Sequence, residues 1–389
     1  MHYLIRSSVA TLLFGLLLNA CATSGNPVSA IPASTAHPSI GHVFLIVLEN
    51  KPFNVTFGPD TPAPYLGHTL TASGALLTQY HATGHYSLDN YISLISGQAP
   101  NHDTQEDCDL YSEFVATTGK LDANGQLAGS GCIYPAIVKT VANQLSDTGL
   151  SWKGYMEDMG SDPLREAAQC ARAVIGSPDW TNTATPKDRY ADKHNPFAYF
   201  HSIIDDAADC NQHVVPLNKL ATDLQQLATT PNYAFITPNL CHDGHNAPCV
   251  NGEPGGLVSA DKFLRLWVPR IMASPAFRKD GVLIITFDES DTADTNACCD
   301  EQALPGGPLP GRHGPGGGRI GAVMLSPFIK PGTVSNAPYN HYSTLRSVEQ
   351  WFGLPYLGYA QSAAVPVFGP DVFTAWHSTE LDGKGKAQN

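Results

Sequence analysis

The segments His42-Val43-Phe44-Leu45-Ile46-Val47-Leu48 and Val282-Leu283-Ile284-Ile285-Thr286-Phe287 run apolar almost without interruption for the length of a strand. A strand with one wet face alternates apolar and polar residues. A continuous run rich in β-branched residues must be covered on both faces, as in a parallel sheet packed between helices. Both runs stop on polar side chains, Glu49-Asn50 and Asp288-Glu289. Ligands of such sheets sit outside the carboxyl ends of the strands, so four oxygen-bearing side chains over 200 residues apart in the chain are expected to meet. Three of them are carboxylates, and crowding these is costly unless a cation lies between them.

The remaining pattern agrees with that constraint. Further strands are expected at 74–80, 151–156, 232–237 and 320–325. Helices are expected at 88–95, 134–145, 196–207, 216–227, 259–272 and 343–352. Strands alternating with helices predict an α/β fold, with a mainly parallel central sheet and helices on both faces. Long loops at 100–130, 160–193 and 291–318 are expected to act as lids or substrate walls.

At the amino end, Arg6 precedes an apolar core too short to span a membrane, so residues 1–21 read as a signal peptide. The core closes on Leu18-Asn19-Ala20-Cys21, which resembles a bacterial lipoprotein processing box with lipidation at Cys21. Ala20-Cys21-Ala22 also fits ordinary cleavage, which would give a secreted form. The expected product is an exported protein, an outer-membrane or periplasmic lipoprotein or else a secreted one. Residues 22–40 would form a flexible tether, 41–380 a single domain and 381–389 a tail.

Eight of the nine cysteines lie beyond Cys21. In an oxidising compartment an even number implies disulfide-stabilised loops, with pairing that sequence cannot assign. Cys298 and Cys299 are adjacent and are expected to bond to two different partners. A net charge of −13 argues against nucleic acid and against charge-driven binding to an anionic membrane. The sequence does not give the oligomeric state.

Ser87 stands where a helix begins, in His85-Tyr86-Ser87-Leu88-Asp89-Asn90-Tyr91. One role for it is a helix N-cap. The same place suits a nucleophile, because unpaired N–H groups and the positive end of the helix dipole favour a phosphate there. The strand at 232–237 leads into Pro238-Asn239-Leu240-Cys241-His242-Asp243-Gly244-His245, again on a carboxyl side. His341 precedes the helix expected at 343–352.

These segments, in order, resemble one family. They are Glu49-Asn50-Lys51-Pro52-Phe53 with Phe57-Gly58, the Ser87–Asn90 helix start closing on Ile95-Ser96-Gly97, and Trp152-Lys153-Gly154-Tyr155-Met156-Glu157-Asp158-Met159. Thr237-Pro238-Asn239 with His242-Asp243-Gly244-His245, Thr286-Phe287-Asp288-Glu289, Ser326-Pro327-Phe328-Ile329-Lys330-Pro331-Gly332 and His341-Tyr342-Ser343-Thr344-Leu345-Arg346 complete the set. The whole is similar to the bacterial and fungal phosphoesterase family of acid phosphatases and phospholipases C, within the alkaline phosphatase superfamily, and implies an alkaline phosphatase-like fold.

The resemblance makes Glu49, Asn50, Asp288, Glu289 and Ser87 ligands of one metal ion, with Ser87 also the nucleophile. His245 and His341 would contact the phosphoryl group or protonate the leaving group. Asn90, Asn239, Asp243, His85 and His313 would help bind the phosphate. Two-zinc relatives carry Asp and His where this chain has Asn239 and Asp243, which implies a single ion. The family commonly has Pro where Tyr86 and Asp89 stand here.

An all-oxygen ligand set suits Ca²⁺, Mg²⁺ or Mn²⁺ over zinc. Histidines charged mainly below neutral pH predict an acidic optimum. The expected activity is that of an acid phosphatase acting on phosphomonoesters through a phosphoserine. Phospholipase C is the alternative, set second because no basic patch or interfacial helix is visible. A surface-anchored binding protein with an inactive phosphoesterase fold is the reading from another class, and the presence of Glu49 and Ser87 argues against it. Neither GxSxG nor HExxH occurs.

Overall fold

The structure is a computed structural model that describes residues 38–375. The leader, Cys21 and most of the expected tether lie outside the described residues, as does the tail.

Eight strands form the central sheet: β1 His42–Leu48, β2 Ala75–His81, β3 Trp152–Met156, β4 Val214–Pro216, β5 Tyr233–Thr237, β6 Gly281–Phe287, β7 Ala322–Leu325 and β8 Thr333–Asn340. Their order across the sheet is β8-β2-β7-β6-β1-β5-β3-β4. Every pairing is parallel except those of β7 with β6 and with β2. The two apolar runs are neighbours at the centre. His42 pairs with Gly281 at one end and Leu48 with Phe287 at the other, and every residue of both strands is buried. Glu49 and Asp288 therefore leave adjacent strands at the same level. The Asp288 N–H still donates to Leu48 O across 2.8 Å.

The helices that matter here are α1 Ser87–Ser96, α2 Val141–Asp147, α3 Gly256–Ala273, α4 Pro275–Asp280 and α5 His341–Phe352. Strand β2 feeds α1 and β8 feeds α5. Both strands run parallel to β6 and β1, so both helices begin at the rim where Glu49 and Asp288 emerge. All ten residues of α1 are buried, polar ones included. The helix expected at 134–145 exists only as α2. The stretch 196–207 is broken into a turn at Pro196–Tyr199 and one helical turn at His201–Ile204, and 216–227 keeps only Leu220–Asp223. Strand β8 is an edge strand that sequence did not signal. It carries Pro338 at a register shift between Ser335 and Pro338, the place where an edge tolerates proline.

Disulfides Cys108–Cys132, Cys170–Cys210 and Cys241–Cys249 pin the long insertions. The first two insertions also pair with each other, Leu110–Tyr111 lying antiparallel to Ser177–Pro178. One expectation is corrected: Cys298 and Cys299 bond to each other rather than to two partners. The other six cysteines are already paired among themselves, which leaves these two no other thiol in this set. No helix among the described residues is long and apolar enough to cross a membrane.

Candidate active site

The carboxyl rim of the sheet brings Glu49, Asn50, Ser87, Asp288 and Glu289 together. Tyr86 adopts φ 89°, and Ser87 follows as the first residue of α1. The Ser87 hydroxyl donates to Glu49 Oε2 at 2.8 Å, and the Tyr91 hydroxyl, one turn on, donates to Glu49 Oε1 at 2.7 Å. Asn50 sits in the left-handed region at φ 48°, where Asn is tolerated. Its N–H donates to Asp288 Oδ1 at 2.8 Å and its amide Nδ2 to Glu289 Oε1 at 3.1 Å. Glu289 Oε2 accepts from the Tyr86 N–H at 3.2 Å and is bonded to His85 Nδ1.

Two buried oxygens of this group, Asn50 Oδ1 and Asp288 Oδ2, have no hydrogen-bond partner. Buried acceptors facing other carboxylates are what a cation would satisfy. The donor set is oxygen throughout, so the residues fit one hard divalent ion.

The charges are steep. Burial would raise the Glu49 carboxyl, but His194 beside it, with Lys193 and His245 further off, holds it well below the usual carboxylate range. Burial, then the charges of Glu49 and Glu289, pushes Asp288 well above that range. Asp243 is pushed up to about 7 by burial and by Glu49.

The other expected residues fall into three groups. Asp243, fully buried, accepts Glu49 N–H on its main-chain oxygen at 2.7 Å, while its Oδ2 has no partner. His245 is exposed, and its N–H is held by Asp243 Oδ1 at 2.8 Å. His85 bridges Glu289 and Asp294 O.

Asn90 and Asn239 spend their side chains on turns. Asn90 Oδ1 accepts from Thr83 N–H, Thr83 Oγ1 and Gly84 N–H, and its Nδ2 donates to Gly84 O and Tyr86 O. Asn239 Oδ1 accepts from the N–H groups of Cys241 and His242, while its Nδ2 donates to Asp158.

His341 is fully buried between Asp288 O, at 2.6 Å, and the Tyr80 hydroxyl, at 3.2 Å; burial pulls its pKa down to about 4. It props the strand end and stays neutral. His313 is exposed on the 305–318 loop and is not brought into the cluster.

Sequence reasoning missed three basic groups. His194 Nε2 lies 3.2 Å from Glu49 Oε1, its Nδ1 lies 4.0 Å from Asp243 Oδ2, and its ring stacks on Tyr91 with centroids 5.2 Å apart. One ligand atom each from Glu49, His194 and Asp243 lies within 4.8 Å of the others. Lys193 bonds Asp107 at 2.8 Å, and Asp107 also accepts the Leu88 N–H at the start of α1. Burial pulls Lys193 down, yet Asp107 and Glu49 outweigh it and keep the amine charged. Lys51 donates to Asn50 O at 3.1 Å; burial lowers its pKa, partly offset by Asp243, Asp288 and Glu49. The available signal was a Lys-His pair ahead of Asn195-Pro196 at the end of the 160–193 insertion.

The phosphoesterase family model matches residues 61–355. The chain belongs to the phosphoesterase family. Like its relatives it is a hydrolase acting on phosphoric ester bonds. It is 24% identical over 343 residues to a phosphatidylinositol-3-phosphatase of Mycobacterium tuberculosis, covering 86% of each chain. It is 25% identical to an acid phosphatase of Aspergillus fumigatus over 91% of this chain and 67% of that one. It is 23% identical to a probable acid phosphatase of Kluyveromyces lactis over 87% of this chain and 64% of the relative. Among solved structures it resembles a member of the alkaline phosphatase superfamily from Vibrio parahaemolyticus, with a TM-score of 0.48, 13% identity and coverage of 87% of this chain and 73% of that one.

Proposed function

We propose that this phosphoesterase is an exported, metal-dependent acid phosphatase that hydrolyses phosphomonoesters through a phosphoserine at Ser87. The observation that carries the reading is the Ser87 hydroxyl, first residue of a buried helix, donating at 2.8 Å to Glu49 on the carboxyl rim. Glu49, held ionised, accepts the Ser87 hydrogen bond and aims that oxygen at phosphorus in line with the leaving alcohol, the serine proton passing to water. Lys51, Lys193 and the positive end of the α1 dipole offset part of the negative charge that the phosphate meets. His245, exposed beside Asp243, is placed to protonate the leaving group and then to guide the water that releases phosphate from Ser87. Glu49, Asn50, Ser87, Asp288 and Glu289 would hold one divalent cation, which when bound depresses the serine pKa and neutralises the carboxylates. Export is supported by the disulfides among the described residues together with the leader-like amino end.

The deciding experiment measures p-nitrophenyl phosphate hydrolysis from pH 4 to 9, with and without EDTA, for the native enzyme and Ser87→Ala. Activity that peaks below neutral pH, fails in EDTA and falls by at least about 10³-fold in the variant is expected. An optimum above about pH 8, or turnover surviving in Ser87→Ala, refutes the corresponding part.

Phospholipid head groups are the second reading. It is favoured by Leu164 and Trp180, 96% and 74% exposed, on the insertion that ends at His194. Release of phosphocholine from phosphatidylcholine vesicles at a rate exceeding that on p-nitrophenyl phosphate would put this reading first.

A further inference from the structure

The loop 305–318 is strapped to the turn before Ser87. His85 N–H donates to Pro310 O at 3.1 Å, Ala82 N–H to Gly318 O at 2.9 Å, and Gly317 N–H to Ala82 O at 3.1 Å. The contact is close enough that a Cβ on Gly317 would fall 1.8 Å from Gly84 O. From this strap Arg312 reaches back over Tyr86. Its guanidinium carbon lies 4.2 Å from the ring centroid, and Nη1 donates to the Tyr86 hydroxyl. Tyr86 and Arg312 hold φ of 89° and 58°, a region that side-chain-bearing residues seldom occupy. Such outliers persist where surrounding structure enforces them and cluster around sites that bind or react.

Arg312 is exposed and forms no ion pair among the described residues, unlike Arg165, Arg189 and Arg265, each of which is paired with an aspartate. Stacking fixes the plane of its guanidinium. Nη1 is engaged, which leaves Nε and Nη2, the edge that grips a planar or tetrahedral anion through two parallel bonds. Tyr86 and the nucleophile are consecutive residues, their Cα atoms about 3.8 Å apart, so the stacked pair stands beside the start of α1. The interior of the site carries the carboxylates, whereas this rim carries a fixed, unpaired cation.

We propose that Arg312, seated on Tyr86, receives a second anionic group of the substrate, so that the preferred substrates are phosphomonoesters whose alcohol part bears a further phosphate or carboxylate long enough to reach this rim. The inference rests on reading Ser87 as the nucleophile. Without such a role the pair is a surface stack that only firms the loop, and its loss would affect all substrates alike.

The test compares kcat/KM on fructose 1,6-bisphosphate and fructose 6-phosphate for the native enzyme, Arg312→Gln and Arg312→Lys. The native enzyme should favour the bisphosphate. The ratio of the two values should fall about tenfold in Arg312→Gln, through KM rather than kcat, and recover in part in Arg312→Lys. The same sugar phosphates titrated calorimetrically into Ser87→Ala, with and without Arg312→Gln, read binding apart from turnover. A binding preference that Arg312→Gln removes supports Arg312 even if no turnover is found, in which case only the proposed reaction falls. No preference in the native chain, or equal losses on both ligands, overturns the assignment.

Discussion

Glu49 accepts from Ser87 on one oxygen and from Tyr91 on the other, and His194 lies 3.2 Å from the second. His194, with Lys193 and His245 further off, keeps Glu49 the ionised member of the crowded group, and the burden of burial passes to Asp288 and Asp243. Asp243 shows the consequence for stability. Its carboxyl is raised to about 7 in the folded chain, against about 3.9 when unfolded. A raised acid stabilises the fold below its unfolded pKa, and that contribution is lost as pH climbs towards 7. Asp243→Asn should therefore flatten the fall in melting temperature between pH 4 and 7 in metal-depleted protein, an effect on the order of a few kcal/mol. An unchanged slope in differential scanning calorimetry would contradict the assignment. At this scale the strand-end carboxylates were readable because each closes an apolar run. Lys193 and His194 were not, because they end a long insertion with little regular structure, and tertiary contacts, Lys193 on Asp107 and His194 on Tyr91, bring them to the rim.

The turn from Thr83 to Tyr86 is one element whose shape depends on a single side chain. Asn90 supplies five hydrogen bonds to it from within α1. Asn90→Ala leaves buried N–H and C=O groups unpaired, and should cost about 2–4 kcal/mol in urea unfolding and lower kcat more than it raises KM, since Ser87 shifts relative to Glu49. A loss of stability with kcat intact would show that the turn does not position the nucleophile. The buried polar residues of α1 also explain why its periodicity named only part of its packing: the helix is covered all round, and side-chain bonds replace apolar contacts. Strand β8 stayed hidden for a different reason. An edge strand needs only one buried face and a partner on one side, so Pro338 and the polar residues around it read as loop. Helices expected across 196–207 and 216–227 were overestimated because each begins at a proline after a residue held out of the helical region, where a turn competes with a helix.

Across the whole molecule, cross-links hold the long insertions, which carry little regular structure of their own. In the chain-entropy account a bridge closing 40 residues outweighs one closing 8. Cys170→Ser/Cys210→Ser should thus cost about 4 kcal/mol and Cys241→Ser/Cys249→Ser about 2.5; the reverse order in denaturant midpoints would show that native-state packing decides. Removing metal should act through pH. Asp288, Glu289 and Asp243 all have raised pKa values from burial and from neighbouring carboxylates, Glu49 and Asp107 among them, so protons can substitute for a cation in acid but not in base. EDTA should lower the melting temperature more at pH 8 than at pH 5, and equal losses would place the cation elsewhere.

Strand β1 enters the sheet beside Gly281 and reaches Glu49 about 23 Å later, so the described chain begins on the rim opposite the pocket. A support coupled at Ser39, just ahead of β1, would hold the described domain by its back, with the reactive mouth turned to the medium. Immobilised that way, the enzyme should keep its access to bulky esters, whereas coupling through lysines such as Lys51 would block the mouth it is meant to present.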